Sequence, residues 1–145
     1  MIDDFSSAYI TVELPVQWGN MDAAKHVNNT VYLRWIESAR IAMFEKMYGG
    51  EFEFKKIVPI LAWQDCKYIF PVTYPDRILV TLDVIELLED RVRCEGKIYS
   101  EKHQRIVAIS KSLLMAYDME ELKKHAFPDS WRKALIDFYG ESIAK

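Results

Sequence analysis

The sequence has little cysteine, little glycine and no long apolar run. Its 145 residues include five glycines and two cysteines, Cys66 and Cys94. The cysteines lack CxxC spacing, so there is neither a zinc-site signature nor a disulfide framework, and we expect two reduced, buried thiols. No glycine-rich phosphate loop and no G-x-S-x-G elbow occurs, which argues against P-loop enzymes and serine hydrolases of that type.

A strong charge of one sign is also missing. The net charge is −3, so the chain has no basic field for nucleic acid, although an anionic small molecule can still meet a local basic cluster. No apolar run approaches the roughly 18 residues that span a bilayer. The N-terminus, MIDDFSSAYI, lacks the pattern of a secretory signal, so a cytoplasmic protein is expected. His103 and His125 show no metal-ligand spacing, and no metal or cofactor is expected.

Alternation of apolar and polar residues predicts five strands. They cover 8–17, 58–74 with a break near Pro71, 78–88, 91–100 and 106–117. Turn-forming residues separate the last four, so these strands are expected to join as hairpins. A short terminal helix is predicted over 128–139. With no repeats or linkers, residues 1–145 are expected to form one α+β domain.

A long helix is predicted between the first two strands. It begins at Asn28 or Asn29, whose side chain can cap free N–H groups, and ends near Tyr48 because Gly49-Gly50 follows. Apolar residues cover much of its circumference, so it is expected to be buried, with polar residues such as Arg34, Glu37 and Arg40 on the remaining surface. An antiparallel sheet of about five strands curled around this helix satisfies the pattern. Its open edges favour at least a homodimer.

Polar residues concentrate in WGNMDAAKHVNN, immediately before this helix. A helix start carries unpaired N–H groups and partial positive charge, and can polarise a carbonyl. A nearby carboxylate, Asp22, could attack that carbonyl or activate water, which is the chemistry of acyl transfer or hydrolysis. On spacing alone, structural interpretations are favoured: Asp22 as an Asx-turn, His26 as a hydrogen-bonded residue, and Asn28 and Asn29 as caps.

The stretch WGNMDAAKHVNNTVYLRWIESAR resembles the signature of hotdog-fold acyl-CoA thioesterases of the 4-hydroxybenzoyl-CoA thioesterase-like family. Those proteins carry a loop like D-x-D-x-x-G-H-V-N-N-x-x-Y before a long central helix. The resemblance extends through IVPILAWQDCKYIFPVTYPDRILV and ISKSLLMAYDME to the terminal FPDSWRKAL, and so covers nearly the whole chain. It implies a hotdog fold.

The resemblance also implies roles for individual residues. Asp22 matches the catalytic carboxylate, and His26, Val27, Asn28, Asn29 and Tyr32 match H-V-N-N-x-x-Y. Asn29 corresponds to the residue whose backbone N–H meets the thioester carbonyl. Two positions depart from the pattern. Asn20 replaces an Asp, and Lys25 replaces a Gly that would tolerate a positive φ.

The expected activity is hydrolysis of an acyl-CoA thioester to a carboxylic acid and CoA, with Asp22 as nucleophile or general base. Tyr32, Trp35, Ile36, Trp63 and Phe70 could line the acyl pocket, although a core role suits them equally well. For the CoA phosphates the candidates are Lys67, Arg91, Arg93 and Lys97, of which Arg91 is favoured by the resemblance; a solvated strand face is the alternative.

The resemblance further implies sites built by two subunits, in a homodimer or a homotetramer formed as a dimer of dimers. Two rival functions stay open. One is a hotdog dehydratase that uses His26 for proton transfer. The other is a non-catalytic hotdog module that binds acyl-CoA.

Overall fold

The computed structural model describes residues 5–49 and 56–145. The strands are β1 (Ile10–Pro15), β2 (Ile57–Gln64), β3 (Lys67–Tyr68), β4 (Arg77–Leu87), β5 (Arg91–Ser100), β6 (Arg105–Asp118) and β7 (Lys123–Lys124). The helices are α1 (Asn29–Tyr48) and α2 (Asp129–Tyr139). Short 3₁₀ turns occur at Phe5–Ser7, Trp18–Asn20 and Glu141–Ile143.

The five long strands form one antiparallel sheet in the order β1-β4-β5-β6-β2, with β3 and β7 added to β6. The predicted hairpins β4–β5 and β5–β6 are confirmed. The predicted hairpin between the strands from 58 and from 78 is wrong, because β2 pairs with β6 at the edge of the sheet and not with β4. Inward residues of β5 alternate as expected, since Val92, Cys94 and Ile98 are fully buried while Arg93 is exposed. The sheet presents this apolar face to α1, as the predicted arrangement of a curled sheet and a central helix requires.

Helix α1 begins and ends where the sequence indicates. Asn28 is its N-cap, and Gly49 ends it in the left-handed conformation with φ of 76°. Gly50 lies outside the described residues. The helix packs against β1, β4 and β5. The prediction that Arg40 lies on the polar surface of the helix is wrong, because Arg40 is buried with the apolar side chains of α1.

Gly96 lets α1 approach β5 closely. A Cβ at this position would lie 2.8 Å from Cδ1 of Ile36 and 3.3 Å from the Thr81 carbonyl oxygen. Ile36 is itself buried in the core, so its side chain has little room to move aside. The missing side chain therefore sets the distance between helix and sheet.

The segment 58–74 is not one long strand. A β-bulge between Leu61 and Trp63 distorts β2, and β3 contributes only two residues. Asp65 separates them, because its carboxylate accepts the Lys111 N–H at 2.8 Å and its carbonyl accepts the Ser110 hydroxyl at 2.7 Å. The chain breaks pairing earlier than the predicted break at Pro71. This places residues 68–74 beside the start of α1.

We expect Gly96→Ala to lower the free energy of unfolding by about 1–3 kcal/mol, because the added methyl group overpacks the contact with Ile36. Urea unfolding at fixed protein concentration measures the change. Gly19→Ala is the matched control, since no atom lies within 4 Å of its added Cβ. Equal stability of both variants would show that α1 does not depend on this close approach.

Candidate active site

The loop before α1 is closed by backbone hydrogen bonds. The Asp22 N–H donates to the His26 carbonyl at 3.1 Å, and the Lys25 N–H donates back to the Asp22 carbonyl at 2.9 Å. The Asn28 N–H reaches the Asn20 carbonyl at 3.0 Å. These bonds hold Asp22 close to the residues that start the helix.

The Asp22 carboxylate is exposed to solvent and held by two donors. The Ala24 N–H donates to Oδ1 at 2.9 Å, and the Asn28 side-chain amide donates to Oδ2 at 3.0 Å. Both bonds hold the pKa of Asp22 below its ordinary value, and the bond from the Ala24 N–H has the larger effect. Asp22 is therefore an ionised carboxylate throughout the neutral range.

Asn28 connects this carboxylate to the helix. Its Oδ1 accepts the Thr30 N–H at 2.9 Å, and its backbone carbonyl accepts the Val31 N–H at 3.0 Å. Among the described residues nothing accepts the N–H of Asn29, the first residue of α1. An unpaired donor at the positive end of the helix thus lies one residue from the group that holds Asp22.

Lys25 and Asn20, the two positions that depart from the family pattern, both fit the loop. Lys25 does adopt a positive φ, 62°, where a glycine would be unstrained; a lysine in this region costs about 1–2 kcal/mol. The loop keeps the turn that a glycine would allow. Asn20 has a supporting contact, because its Oδ1 accepts the Gln17 N–H at 2.7 Å.

Two clefts meet at this loop. The larger, of about 610 Å³, is lined by Asp22 together with Trp18, Met21, Ala23, Lys25, Thr73 and Tyr74. The smaller, of about 340 Å³, is lined by His26, Val27, Asn29, Tyr32, Tyr68, Ile69, Phe70 and Pro71. The Val27 N–H donates to the Val72 carbonyl at 2.8 Å and joins the two walls. The structure thus brings the carboxylate and the free N–H to neighbouring clefts.

Tyr32 and Trp35 differ in their access to these clefts. Tyr32 lines the smaller cleft, and its hydroxyl accepts the Val72 N–H at 3.1 Å, which fixes the opposite wall to α1. Trp35 is buried against Tyr32 with ring centroids 5.3 Å apart, and it lines neither cleft. Among the other pocket candidates, Phe70 lines the smaller cleft, Ile36 is buried in the core and Trp63 is exposed on β2.

Arg91 is not brought to this loop within the chain. It starts β5 at the opposite end of the sheet and forms a two-point ion pair with Asp90, at 2.7 and 3.1 Å. The loop contacts the other end, where the Val16 N–H donates to the Asp76 carbonyl beside the start of β4. Strand β4 has eleven residues, so about 30 Å separates these ends.

Two residues beside the clefts, Tyr68 and Lys102, were not predicted from the sequence. The Tyr68 hydroxyl donates to the Asn29 carbonyl at 3.3 Å, and its ring packs edge-on against Tyr32. Lys102 donates to the Thr73 hydroxyl at 3.1 Å, which places a cation beside the larger cleft. Neither position carries a local signal in the sequence, because the strand pairing of β3 and the β5–β6 hairpin bring them here.

Residues 5–49 and 56–145 contain neither a metal-binding cluster nor a membrane-spanning helix. No group of His, Cys, Asp and Glu side chains there could hold a metal ion. No helix in the same ranges is long and apolar enough to cross a membrane.

Comparison with known proteins identifies the class. The sequence model of the Thioesterase-like superfamily matches residues 16–135. A Pseudomonas aeruginosa structure, proposed to be a thioesterase, is 29% identical with a TM-score of 0.80, over 88% of this chain and 98% of that one. A 1,4-dihydroxy-2-naphthoyl-CoA thioesterase from Synechocystis is 19% identical with a TM-score of 0.77, over 88% and 96%. A DHNA-CoA thioesterase from Staphylococcus aureus is 17% identical with a TM-score of 0.79, over 93% and 97%.

The chain belongs to the Thioesterase-like superfamily and has the hotdog fold expected from its sequence. It is accordingly a thioester hydrolase. No curated protein sequence matches it. The family assignment concerns the chain as a whole, so the roles of individual residues rest on the geometry of the loop.

We expect Asn28→Ser to raise the pKa of Asp22, because serine can still cap α1 but cannot supply the amide donor to the carboxylate. The carbon-13 shift of the Asp22 carboxyl group, followed through a pH titration by NMR, measures this pKa. Asn29→Ser is the control, since no side-chain bond joins Asn29 to Asp22. A pKa that is the same in both variants and the wild type would contradict the contact.

Proposed function

We propose that this protein hydrolyses an acyl-CoA thioester to a free carboxylic acid and CoA. The observation that carries the proposal is the placement of an ionised Asp22, through Asn28, beside the unpaired N–H of Asn29. The 1,4-dihydroxy-2-naphthoyl-CoA thioesterase and the DHNA-CoA thioesterase of the same fold support a CoA thioester as substrate. Hydrolysis of this kind needs a hydrogen-bond donor that stabilises the negative charge on the carbonyl oxygen, and it needs a carboxylate. The loop and the helix start supply both.

In this mechanism the thioester carbonyl oxygen accepts the Asn29 N–H at the positive end of α1. Asp22 as nucleophile attacks the carbonyl carbon, the C–S bond breaks, and the departing CoA thiolate takes a proton from water. Water then attacks the aspartyl carbonyl carbon of the acyl-aspartyl anhydride, which releases the carboxylic acid and leaves one oxygen of water on the restored Asp22 carboxylate. With Asp22 as general base, Asp22 takes a proton from water, whose oxygen attacks the carbonyl carbon directly. The C–S bond then breaks, and the departing CoA thiolate takes the proton from Asp22.

The lowered pKa of Asp22 favours the nucleophilic route. A nucleophilic carboxylate has only to be ionised, whereas a general base works best with a pKa near the operating pH. The two routes predict different fates for the oxygen of water, which only the nucleophilic route transfers to Asp22.

Substrate binding is divided between the two clefts. The acyl group is assigned to the smaller cleft, whose walls include His26, Tyr32, Tyr68 and Phe70. CoA is assigned to the larger cleft, where Lys25 and the Lys102–Thr73 pair offer positive charge to its phosphates. Asn28 positions Asp22, and Trp35 supports the ring of Tyr32 from the core.

Arg91 keeps its predicted role only in an assembly. Because it lies at the far end of the sheet, it can contact CoA only in the site of another copy. A homodimer or a dimer of dimers with shared sites is part of the proposal for this reason, and a cytoplasmic location also stays a prediction.

Two rival functions have specific signatures. A dehydratase would rely on His26, whose ring lines the smaller cleft while Asp22 lines the larger one. Activity that survives Asp22→Asn but not His26→Ala would support it. A binding module would bind CoA saturably without releasing thiol. It would not require an ionised carboxylate beside an unpaired N–H.

We expect Asp22→Asn to lower kcat/KM for thioester hydrolysis by at least about 100-fold, since the variant has neither nucleophile nor base. Thiol release from short, medium, long-chain and aromatic acyl-CoAs measures this and defines the acyl preference. The free energy of unfolding should change by less than about 0.5 kcal/mol, because Asp22 is exposed.

Asp137→Asn on α2 is the control for that experiment, as it removes an exposed carboxylate that pairs with Lys133. Single-turnover reaction of the wild type in oxygen-18 water separates the two routes, since only the nucleophilic route leaves label on Asp22. Full activity of Asp22→Asn would contradict the assignment of the carboxylate.

We expect Lys102→Gln to raise KM for acyl-CoA about fivefold at low salt, the effect of losing one surface charge pair worth about 1 kcal/mol. The difference should shrink at high salt, where screening weakens the phosphate contact in both proteins. Lys133→Gln, an exposed cation on α2, should leave KM unchanged. A salt-independent effect of Lys102→Gln would assign the residue a role in holding Thr73 instead.

A further inference from the structure

Two side chains of the hairpin that joins β5 to β6 hold the ring of Phe70. The His103 ring lies 4.8 Å from the Phe70 ring, centroid to centroid, at an interplanar angle of 56°. The Arg105 guanidinium lies over the Phe70 ring, 4.5 Å from its centroid. The quadrupole of an aromatic ring attracts a cation over its face, and a second ring at this separation adds a favourable contact. Both contacts oppose rotation of the Phe70 side chain.

The turn of this hairpin, residues 101–104, is itself fixed to the start of β4. Asp76 Oδ1 accepts the Lys102 N–H at 2.9 Å, and Asp76 Oδ2 accepts the Ser100 hydroxyl. The oxygen of that hydroxyl accepts the His103 N–H at 3.1 Å. The groups that contact Phe70 therefore lie on an anchored turn and not on a free loop.

The backbone around Phe70 is fixed to two further elements. The N–H groups of Ile69 and Phe70 both donate to the Val107 carbonyl on β6, at 2.8 and 3.2 Å. Two residues on, the Val72 N–H donates to the Tyr32 hydroxyl of α1 at 3.1 Å. With its backbone and its ring both held, Phe70 is a rigid part of the lining of the smaller cleft.

The smaller cleft has the reacting end of the substrate at one wall and Phe70 on another. The start of α1, where Asn29 offers its N–H, forms the first wall, and segment 68–71 forms the second. Tyr68 donates to the Asn29 carbonyl at 3.3 Å and so lies beside the reacting end. Neither His103 nor the exposed Arg105 lines the cleft, so both contact the Phe70 ring from outside it. The ring thus separates the cleft from the hairpin.

The volume of the smaller cleft bounds the acyl group that it can hold. Its volume of about 340 Å³ fits about ten carbon-sized groups, at the roughly 30 Å³ that a water molecule takes in the liquid. A palmitoyl chain exceeds this volume, whereas an octanoyl chain does not. Because the ring of Phe70 is held in place, the cleft can lengthen only by overpacking its wall, which is unfavourable.

We infer that Phe70 is a specificity-determining residue that sets the upper length of the acyl group, and that His103 and Arg105 are positioning residues that hold its ring. This inference rests on the proposed function, since it takes the acyl group to bind in the smaller cleft. It makes acyl groups up to medium-chain length the preferred substrates. Removal of the ring opens the cleft towards the hairpin and admits longer chains.

Thiol release from octanoyl-CoA and palmitoyl-CoA measures the length preference as the ratio of kcat/KM for palmitoyl-CoA to that for octanoyl-CoA. We expect Phe70→Ala to raise this ratio at least about tenfold, because the vacated ring volume holds additional methylene groups. Arg105→Met should raise it about threefold, since the ring loses the cation that holds it but still occupies the wall. Arg105→Lys keeps a cation over the ring and should stay within about twofold of the wild-type ratio.

Phe138→Ala is the matched control for Phe70→Ala. Phe138 is a partly exposed aromatic residue on α2 that also lies under a cation, with Lys46 Nζ 4.7 Å from its centroid, and it lines neither cleft. Its replacement should leave the ratio unchanged. An unchanged ratio in Phe70→Ala, or an equal loss of activity towards both substrates, would overturn the inference and leave the proposed hydrolysis standing.

Binding of S-octyl-CoA and S-hexadecyl-CoA, thioethers that cannot be hydrolysed, separates this inference from the proposed function. We expect calorimetry to show that Phe70→Ala shifts the ratio of the two dissociation constants at least about tenfold in favour of the longer chain. If the wild type releases no thiol but shows this shift, the proposed hydrolysis fails and the role of Phe70 stands. Should circular dichroism show that Phe70→Ala does not fold, Phe70→Leu gives the same test, with a shift of a few-fold. An unchanged ratio of dissociation constants would overturn the inference.

Discussion

The side chain of Asn28 is the contact on which the rest of the site depends. Its oxygen caps the helix and its nitrogen holds the Asp22 carboxylate, so one amide determines both where α1 begins and where the charge lies. Because the cap occupies Thr30 and not Asn29, the first N–H of the helix stays available. Asn28 therefore links the helix start and the free Asn29 N–H to the Asp22 carboxylate, which the Ala24 N–H also holds.

Burial of α1 places this start at the rim of the molecule. Gly96 admits Ile36 against β5, and Tyr32 ties the opposite wall of the cleft to the helix through Val72. The same burial encloses Arg40, which the helical pattern assigned to the surface. The helix thus places the Asp22 loop at its beginning and a buried arginine near its middle.

Much of the fold could be predicted because hydrophobic alternation follows the period of each element. β5 has the bounds expected from the sequence, and α1 ends at Gly49 as its left-handed conformation allows. The division of 58–74 could not be predicted, since it depends on hydrogen bonds from β6 to Asp65. The burial of Arg40 escaped prediction because a polar residue type says nothing about what covers it.

The sequence by itself determined the class of protein, the order of elements and the local cluster around Asp22, because these depend on residues close together in the chain. Only the tertiary structure decided which distant residues meet that cluster. Tyr68 and Lys102 reach it through strand pairing, whereas Arg91 lies at the other end of the sheet. Local hydrogen bonds are encoded by neighbours, but the walls of a cleft are set by register and packing across the whole sheet.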